Sequence, residues 1–327
     1  MGASEKEEIG MRLVFAITML VASATATFAQ DVTLQYRWTK GEEIKYRLVQ
    51  QTTTTISGFP GTAGEMNAEV NVTQVLQTRV NELGPDGAAT LDYRFESARW
   101  EMKSPMFTMI YDSASPETSG AGIPAPMKDV LSAMIGQSLI VVVSPQGEVR
   151  KVEGADALFD KMIKSLPPNP AMAPMMQALR NSFSNEGMRT TLSQSYTQFP
   201  DRSLKPGDTW QSAVTAPNPI AGPVTTTIVF TLASIEGGGM DRTARITTKI
   251  SVKNDLTAAP ATPLGMRMQF GESTGDGEVV FDAARGRVRR ATTRTTIPME
   301  VSGTGADGNA LSMRTVIASV ITIELVP

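Results

Sequence analysis

The stretch 310-ALSMRTVIASVITIELV-326 decides how this chain is built. Leu311, Met313, Ile317, Ile321, Ile323 and Leu325 stand two or four residues apart. An extended backbone puts all six on one side, whereas a turn every 3.6 residues would scatter them around a helix. The stretch reads as one strand, about three times the usual five or six residues.

Other segments alternate in the same way. Residues 67-NAEVNVTQVLQTRVNEL-83 align Val70, Val72, Leu76 and Val80, and the turn Gly84–Gly87 leads into 88-AATLDYRFESARWEM-102. Lys40-Gly41 separates 32-VTLQYRW-38 from 42-EEIKYRLVQQTTTTI-56, and 138-SLIVVVSPQGEVRKVEG-154 turns at Pro145–Gly147. Beyond residue 200, 224-VTTTIVFTLASI-235, 241-DRTARITTKISV-252 and 277-GEVVFDAARGRVRRATTRTTIPMEV-301 repeat the style, the last turning near Ala284–Gly286. Period-two runs bounded by Gly, Pro and Asp are hairpin signals. Long Thr-rich strands suit a curved antiparallel sheet, or a half-barrel, with one wet and one dry face. A weak repeat links KGEEIKY (40–46) to KPGDTW (205–210) and VVVSPQGEVRKVEG (141–154) to VVFDAARGRVRRAT (279–292). Either the chain holds two related β-rich halves, or common turn chemistry has produced the likeness.

Between these halves the period changes. Residues 104–126 are rich in Pro, Gly and Ser and read as a loop. Met127, Val130, Leu131, Met134 and Ile135 then form a helical stripe, as do Leu158, Phe159, Met162, Ile163 and Leu166. Met172, Met175, Met176, Leu179 and Phe183 form a third, and Met188, Leu192, Tyr196 and Phe199 extend a fourth. Each helix has one apolar face, and the curved sheet is the surface available to cover it. The expected fold is mainly β (α+β), with β-rich halves over about 30–153 and 200–327 and a helical segment over about 154–199.

Residues 11-MRLVFAITMLVASATATFAQ-30 have the form of a secretory signal: Arg12, an apolar run from Leu13 to Val21, and small residues before a cleavage after Ala29. This makes residues 1–29 a leader, with Met11 its true start, and places residues 30–327 in the periplasm or outside the cell. The run is too short to span a bilayer, and no cysteine follows it to carry a lipid anchor.

Composition narrows the chemistry. With Cys 0 and His 0, thiolate nucleophiles, imidazole bases and the usual zinc sites are excluded. A formal net charge of −3 gives no basic face for nucleic acid. GESTG at 271–275 matches a nucleophile elbow around Ser273, but no histidine can take its proton and strands flank it. GTGADG at 303–308 joins two strands, not a strand and a helix, so it reads as a turn. Asp276 and Glu278 lack the further ligands of a calcium loop. No cofactor and no enzymatic activity are expected.

Two patterns remain. Arg285, Arg287 and Arg289 project from one side of a strand, as a patch for anionic partners or as an ordinary exposed face. Of 19 methionines, ten lie between Met102 and Met188. Methionine is flexible and polarizable, so it fills core gaps and also lines surfaces that accept varied apolar partners. The candidate ligand lining is Met127, Leu131, Met134, Phe159, Met162, Met172, Met175, Met176 and Leu179, with core packing as the other reading.

The leader, KGEEIKYRLVQQTTTT, SLIVVVSPQGEV, LKPGDTW and GDGEVVFDAARGRV together resemble an uncharacterised family of secreted bacterial β-rich proteins. That resemblance implies no activity and no catalytic residue. The architecture also looks like the LolA/LolB-type lipoprotein carriers, in which a half-barrel with a helical lid holds acyl chains. The expectation is a non-enzymatic binder of a hydrophobic or lipid-like ligand. The alternative is an envelope structural or interaction protein with a protein partner and no small ligand.

Overall fold

The computed structural model describes residues 31–58, 64–115, 123, 125–164, 173–216, 218, 221–258, 267–304 and 310–327. The expected leader, with Met11 and the expected cleavage after Ala29, lies outside them. The alternating stretches form β1 (Glu43–Ser57), β2 (Met66–Leu83), β3 (Ala89–Lys103), β4 (Thr108–Asp112), β5 (Ser138–Val143) and β6 (Val149–Glu153). Then come β7 (Thr209–Ala216), β8 (Val224–Glu236), β9 (Thr243–Asn254), β10 (Arg267–Phe270), β11 (Thr274–Asp282), β12 (Arg287–Thr304) and β13 (Ala310–Val326). Helices are α1 (Ala125–Met134), α2 (Ala155–Ile163), α3 (Ala173–Ser182) and α4 (Asn185–Ser195).

The strands form one antiparallel sheet of thirteen, in the order β6-β5-β3-β2-β1-β13-β12-β11-β9-β8-β7, with β4 beside β3 and β10 beside β12. The order resolves into two meanders, β1-β2-β3-β5-β6 and β7-β8-β9-β11-β12, joined by β13 lying between β1 and β12. The likeness of the halves extends to single hydrogen bonds. Gly41 N donates to Val80 O at 2.8 Å, and Val80 N to Glu42 O at 2.9 Å. In the second meander Gly207 N donates to Leu232 O at 2.8 Å, and Leu232 N to Asp208 O at 3.0 Å. A bulge follows Val80 in the β2–β3 pair and Leu232 in the β8–β9 pair. Matching turns, bonds and bulges point to a repeated unit.

The sheet is open but strongly curled. Eleven strands in sequence along its width, at about 4.8 Å each, would lie about 48 Å wide if flat. Yet α4 packs against both edge strands, β6 and β7. An 11-residue helix is only about 16 Å long. The two edges must therefore approach each other across the helix. Glycine assists the bend: a Cβ on Gly275 would stand 2.8 Å from Ile250 Cβ, and one on Gly277 2.6 Å from Thr248 Oγ1. Inward side chains of β9 occupy the space that those glycines leave.

The core sits at one end of the sheet, in two clusters. One holds Phe230, Leu232, Ile246 and Phe281, and the other Val80, Leu91, Leu139, Val141 and Leu158. Trp38 and Tyr196 pack against both. The segment 32–38 is not a strand of the sheet, as its alternation suggests; it makes a single bridge, Val32 to Leu204. Two hairpin turns clamp it: Tyr36 N donates to Pro145 O at 2.7 Å, and Arg37 N to Gly286 O at 3.1 Å. Tyr36 stacks on Trp38 at 5.7 Å and meets Phe199 and Phe281.

Two more sequence expectations change. The loop 104–126 contains β4, paired with β3. Helix α4 ends at Ser195, so Tyr196 and Phe199 leave the helical register and enter the aromatic core. α4 begins at Ser184, whose Oγ accepts from Gly187 N at 3.0 Å. Asn185 Oδ1 accepts from Ala155 N at 2.9 Å and so caps α2, where Gly154 offers no side chain.

Candidate functional site

Register fixes what the inner face of the sheet presents. Leu48 lies opposite Ile323 and Gln74, Thr54 opposite Ile317 and Ala68, and Ile56 opposite Thr315 and Met66. Ile297 faces Ile317, Val301 faces Met313 and Met268, and Met102 faces Val70 and Met109. These positions share the face that buries Ile44, Leu76, Val80, Phe281 and Ile246 at the core end. Away from the core end they are half-buried, with Val301 alone among those just named fully covered. Among the described residues the helices pack on one another and on the core end of the sheet, where Leu158, Met162 and Leu192 join Val80, Leu91 and Leu139, and none makes a major contact with β12, β13 or β1.

Where β1, β2, β12 and β13 pair with one another, no lysine, arginine, aspartate or glutamate occupies this inner register; at the core end Arg287 and Glu42 form a half-buried pair at 2.7 Å. Charge is otherwise kept to the outer face, where it is paired: Lys45 with Glu96 at 2.8 Å, Arg99 with Asp112 at 2.9 Å, Arg245 with Glu278 at 3.0 Å. The inner polarity is neutral. Gln50 Nε2 donates to Thr52 Oγ1 at 3.1 Å, and Thr52 and Ser319 hydroxyls bond at 3.0 Å. The face is an apolar trough crossed by one band of hydroxyl and amide groups.

The residues expected to line a ligand cavity sit elsewhere. Phe159 and Met162 are 3% and 6% exposed; Met162 joins Leu158 in the core, and Phe159 stacks on Phe183 at 6.0 Å. Met134 is half-buried against the same core. Leu131 and Met176 are half-buried on α1 and α3. Met127, Met175 and Leu179 fall within helices, but their side chains lie outside the described residues, and Met172 lies outside them altogether. Of the described members, Met134, Phe159 and Met162 are brought together as packing. The sequence signal for the trough was the inward half of the long strands, above all β13.

The arginine patch is also rearranged. Arg285 lies in the turn before β12, not on the strand. It donates to Asp282 at 3.0 Å, Arg289 donates to the same carboxylate at 2.8 Å, and Arg287 reaches Glu42 at 2.7 Å. Burial pushes the Asp282 carboxyl up, but the Arg285 amide and the Arg289 and Arg285 guanidinium groups outweigh this and hold it below the usual range. All three cations thus have carboxylate partners within the molecule.

Ser273 offers no free nucleophile: its hydroxyl accepts from Val252 N at 2.6 Å and donates to Val252 O at 3.0 Å. It stands in for a strand residue between β10 and β11. GTGADG falls largely outside the described residues. Among the described residues no group of three or more His, Cys, Asp or Glu is placed to hold a metal ion, and no helix is long and apolar enough to cross a membrane.

A second concavity, of about 1340 Å³, opens between α4 and the edge of β7. Its lining is mostly polar, including Gln177, Asn181, Thr190 and Gln194, with Ala213–Ala216 along one wall. Among the described residues it contains none of those expected to line a ligand cavity.

Among solved structures, the chain is similar to lipovitellin at 9% identity and a TM-score of 0.42, covering 89% of this chain and 26% of that one, about a quarter of its length. A putative exported protein with a YmcC-like fold from Bacteroides fragilis matches at 7% identity and a TM-score of 0.19, over 87% and 97% of the two chains. An outer membrane channel from Pseudomonas putida F1 matches at 9% identity and a TM-score of 0.23, over 88% and 97%. No curated protein matches the sequence. The sequence pattern of one family of unknown function matches residues 86–287, from the turn before β3 to the first residue of β12, and the chain belongs to that family, DUF6263.

Proposed function

We propose that this protein is a non-enzymatic, exported binder of a hydrophobic or lipid-like ligand, and that the inner face of the long strands holds it. The observation that carries this reading is the uncharged, half-buried inner face of β1, β12 and β13 away from the core end, with no described helix layered over it. A face meant for water would carry charge, as the outer face does. A face meant for core would be covered, as the other end of the same strands is.

The scale is adequate. Burying a methylene contributes about 0.8 kcal/mol, so ten of them supply about 8 kcal/mol, the scale of a micromolar complex. The band of Gln50, Thr52 and Ser319 can meet an ester or hydroxyl without asking for charge. Export rests on the leader-like residues 1–29. The missing histidine and cysteine, and the engaged hydroxyl of Ser273, support a role without catalysis.

The test is to express the chain in a bacterial periplasm, purify it without detergent, and measure extracted lipid by mass spectrometry. The wild type is expected to carry lipid in stoichiometric amount. Replacing Ile297, Ile317 and Ile321 by threonine keeps β-branching and removes apolar lining, so the variant is expected to fold and to lose the lipid. A lipid-free wild type, or an equally loaded variant, overturns the proposal in favour of an envelope interaction protein.

A further inference from the structure

The two edges of the sheet are treated differently. β6 is 5 residues long, carries Arg150, Lys151 and Glu153, and is covered by α4. β7 is 8 residues long, reads TWQSAVTA, and has no charge and no proline. Short, charged or covered edges resist pairing with a further strand; a long uncharged one invites it.

The polarity of β7 can be worked out. Leu232 N donates to Asp208 O, so the Asp208 carbonyl faces β8. Alternation then turns the N–H and C=O groups of residues 210, 212, 214 and 216 toward β8, since their register runs without a bulge. Those of Gln211, Ala213 and Thr215 point away from it. Among the described residues no third strand pairs with β7, and no backbone bond reaches these outward groups.

Gln211, Ala213 and Thr215 are exposed, and the last two border a cleft. The first part of β7 is held against the core, with Trp210 Nε1 donating to Gln198 O at 2.7 Å. From Ala213 onward the edge forms a wall of the polar cleft, and α3 and α4 form the other with Gln177, Asn181, Thr190 and Gln194. The cleft thus combines a row of strand donors and acceptors with amide and hydroxyl side chains and with the ion pair of Glu186 and Arg189.

We propose that this cleft binds an extended polypeptide segment, which adds to β7 as a twelfth strand along the width of the sheet. Backbone groups on one side and amides on the other match a single peptide strand, which has both to satisfy. The recess selects a lone segment: the β7 of a second copy lies equally deep against its own α4. The inference does not depend on the trough, which lies on the inner face.

Hydrogen exchange on the full chain tests it first. The amides of Gln211, Ala213 and Thr215 are expected to exchange fast while those of Ser212 and Val214 are protected. Uniform protection means that the edge is already paired and overturns the proposal. A display library of random octapeptides is the binding probe. Peptides selected on the wild type are expected to slow exchange at Gln211, Ala213 and Thr215. They are also expected to bind A213P at least about tenfold more weakly, through loss of a backbone donor. Proline at 213 removes an outward N–H and is compatible with an edge strand, whereas V214P removes a ladder bond and is the destabilised control. Equal binding to A213P, an empty selection, or a concentration-dependent dimer that A213P abolishes would each reject a peptide as the occupant.

Discussion

Among the described residues Asp282 alone of the carboxylates is buried, with its side chain 3% exposed and bonds from Arg285 and Arg289. Its depressed pKa means that the unfolded chain takes up the proton first. The stabilisation is therefore complete above about pH 4 and is lost as pH falls through the lower folded-state value. D282N is expected to cost about 2 kcal/mol at pH 7, less than a fully buried pair because both arginines are half in water. Urea titrations of both proteins against pH check this: the wild type should lose the difference in acid. Glycine gives a second residue-level test. Gly147 and Gly286 have positive φ, and an added Cβ would stand 2.4 Å from Thr197 O and from Arg37 N respectively. Gly41 shares the positive φ but has open space around it. G41A should cost about 1 kcal/mol, and G147A and G286A clearly more, by thermal denaturation. The sequence marked these glycines as turns; that two of the turns grip segment 32–38 depends on neighbours far along the chain.

At the scale of elements, the helices were legible from their stripes, and their role was not. A stripe says that a face is apolar, and says nothing of whether protein or ligand covers it. Met162 is 6% exposed among Leu158, Val152 and Leu192. M162A is expected to cost about 3 kcal/mol, the scale of a core truncation. The same urea titration on the triple threonine variant of the trough should show a smaller loss per residue, because those isoleucines are already half exposed. If M162A proves neutral, the packed reading of α2 fails. The strands were legible for the opposite reason: period two is a property of the backbone, so the inward set of β13 could be named from the sequence.

Over the whole molecule, β13 is the joint. It pairs with β1 on one side and β12 on the other, so that Lys45, near the start of β1, lies opposite Val326. Removing Ala310–Pro327 leaves β1 and β12 with unpaired edges in the middle of the sheet. The truncated protein is expected to lose its single cooperative melting transition in calorimetry and to aggregate through the exposed edges. A truncated chain that melts cooperatively like the full one would show that the two meanders fold without it.

The sequence by itself determined the local terms: where the chain extends, which side of each strand is apolar, where a glycine turns it, and which chemistries its missing residues forbid. Each of these depends on residues within a few positions of one another. The tertiary structure decided which strands meet, that both halves form one curled sheet, that Met162 of α2 is core, and that Arg287 belongs to Glu42, 245 residues away. Those outcomes depend on pairings between distant segments. Alternation allows many such pairings equally, and the joint burial of one end of the sheet selects among them.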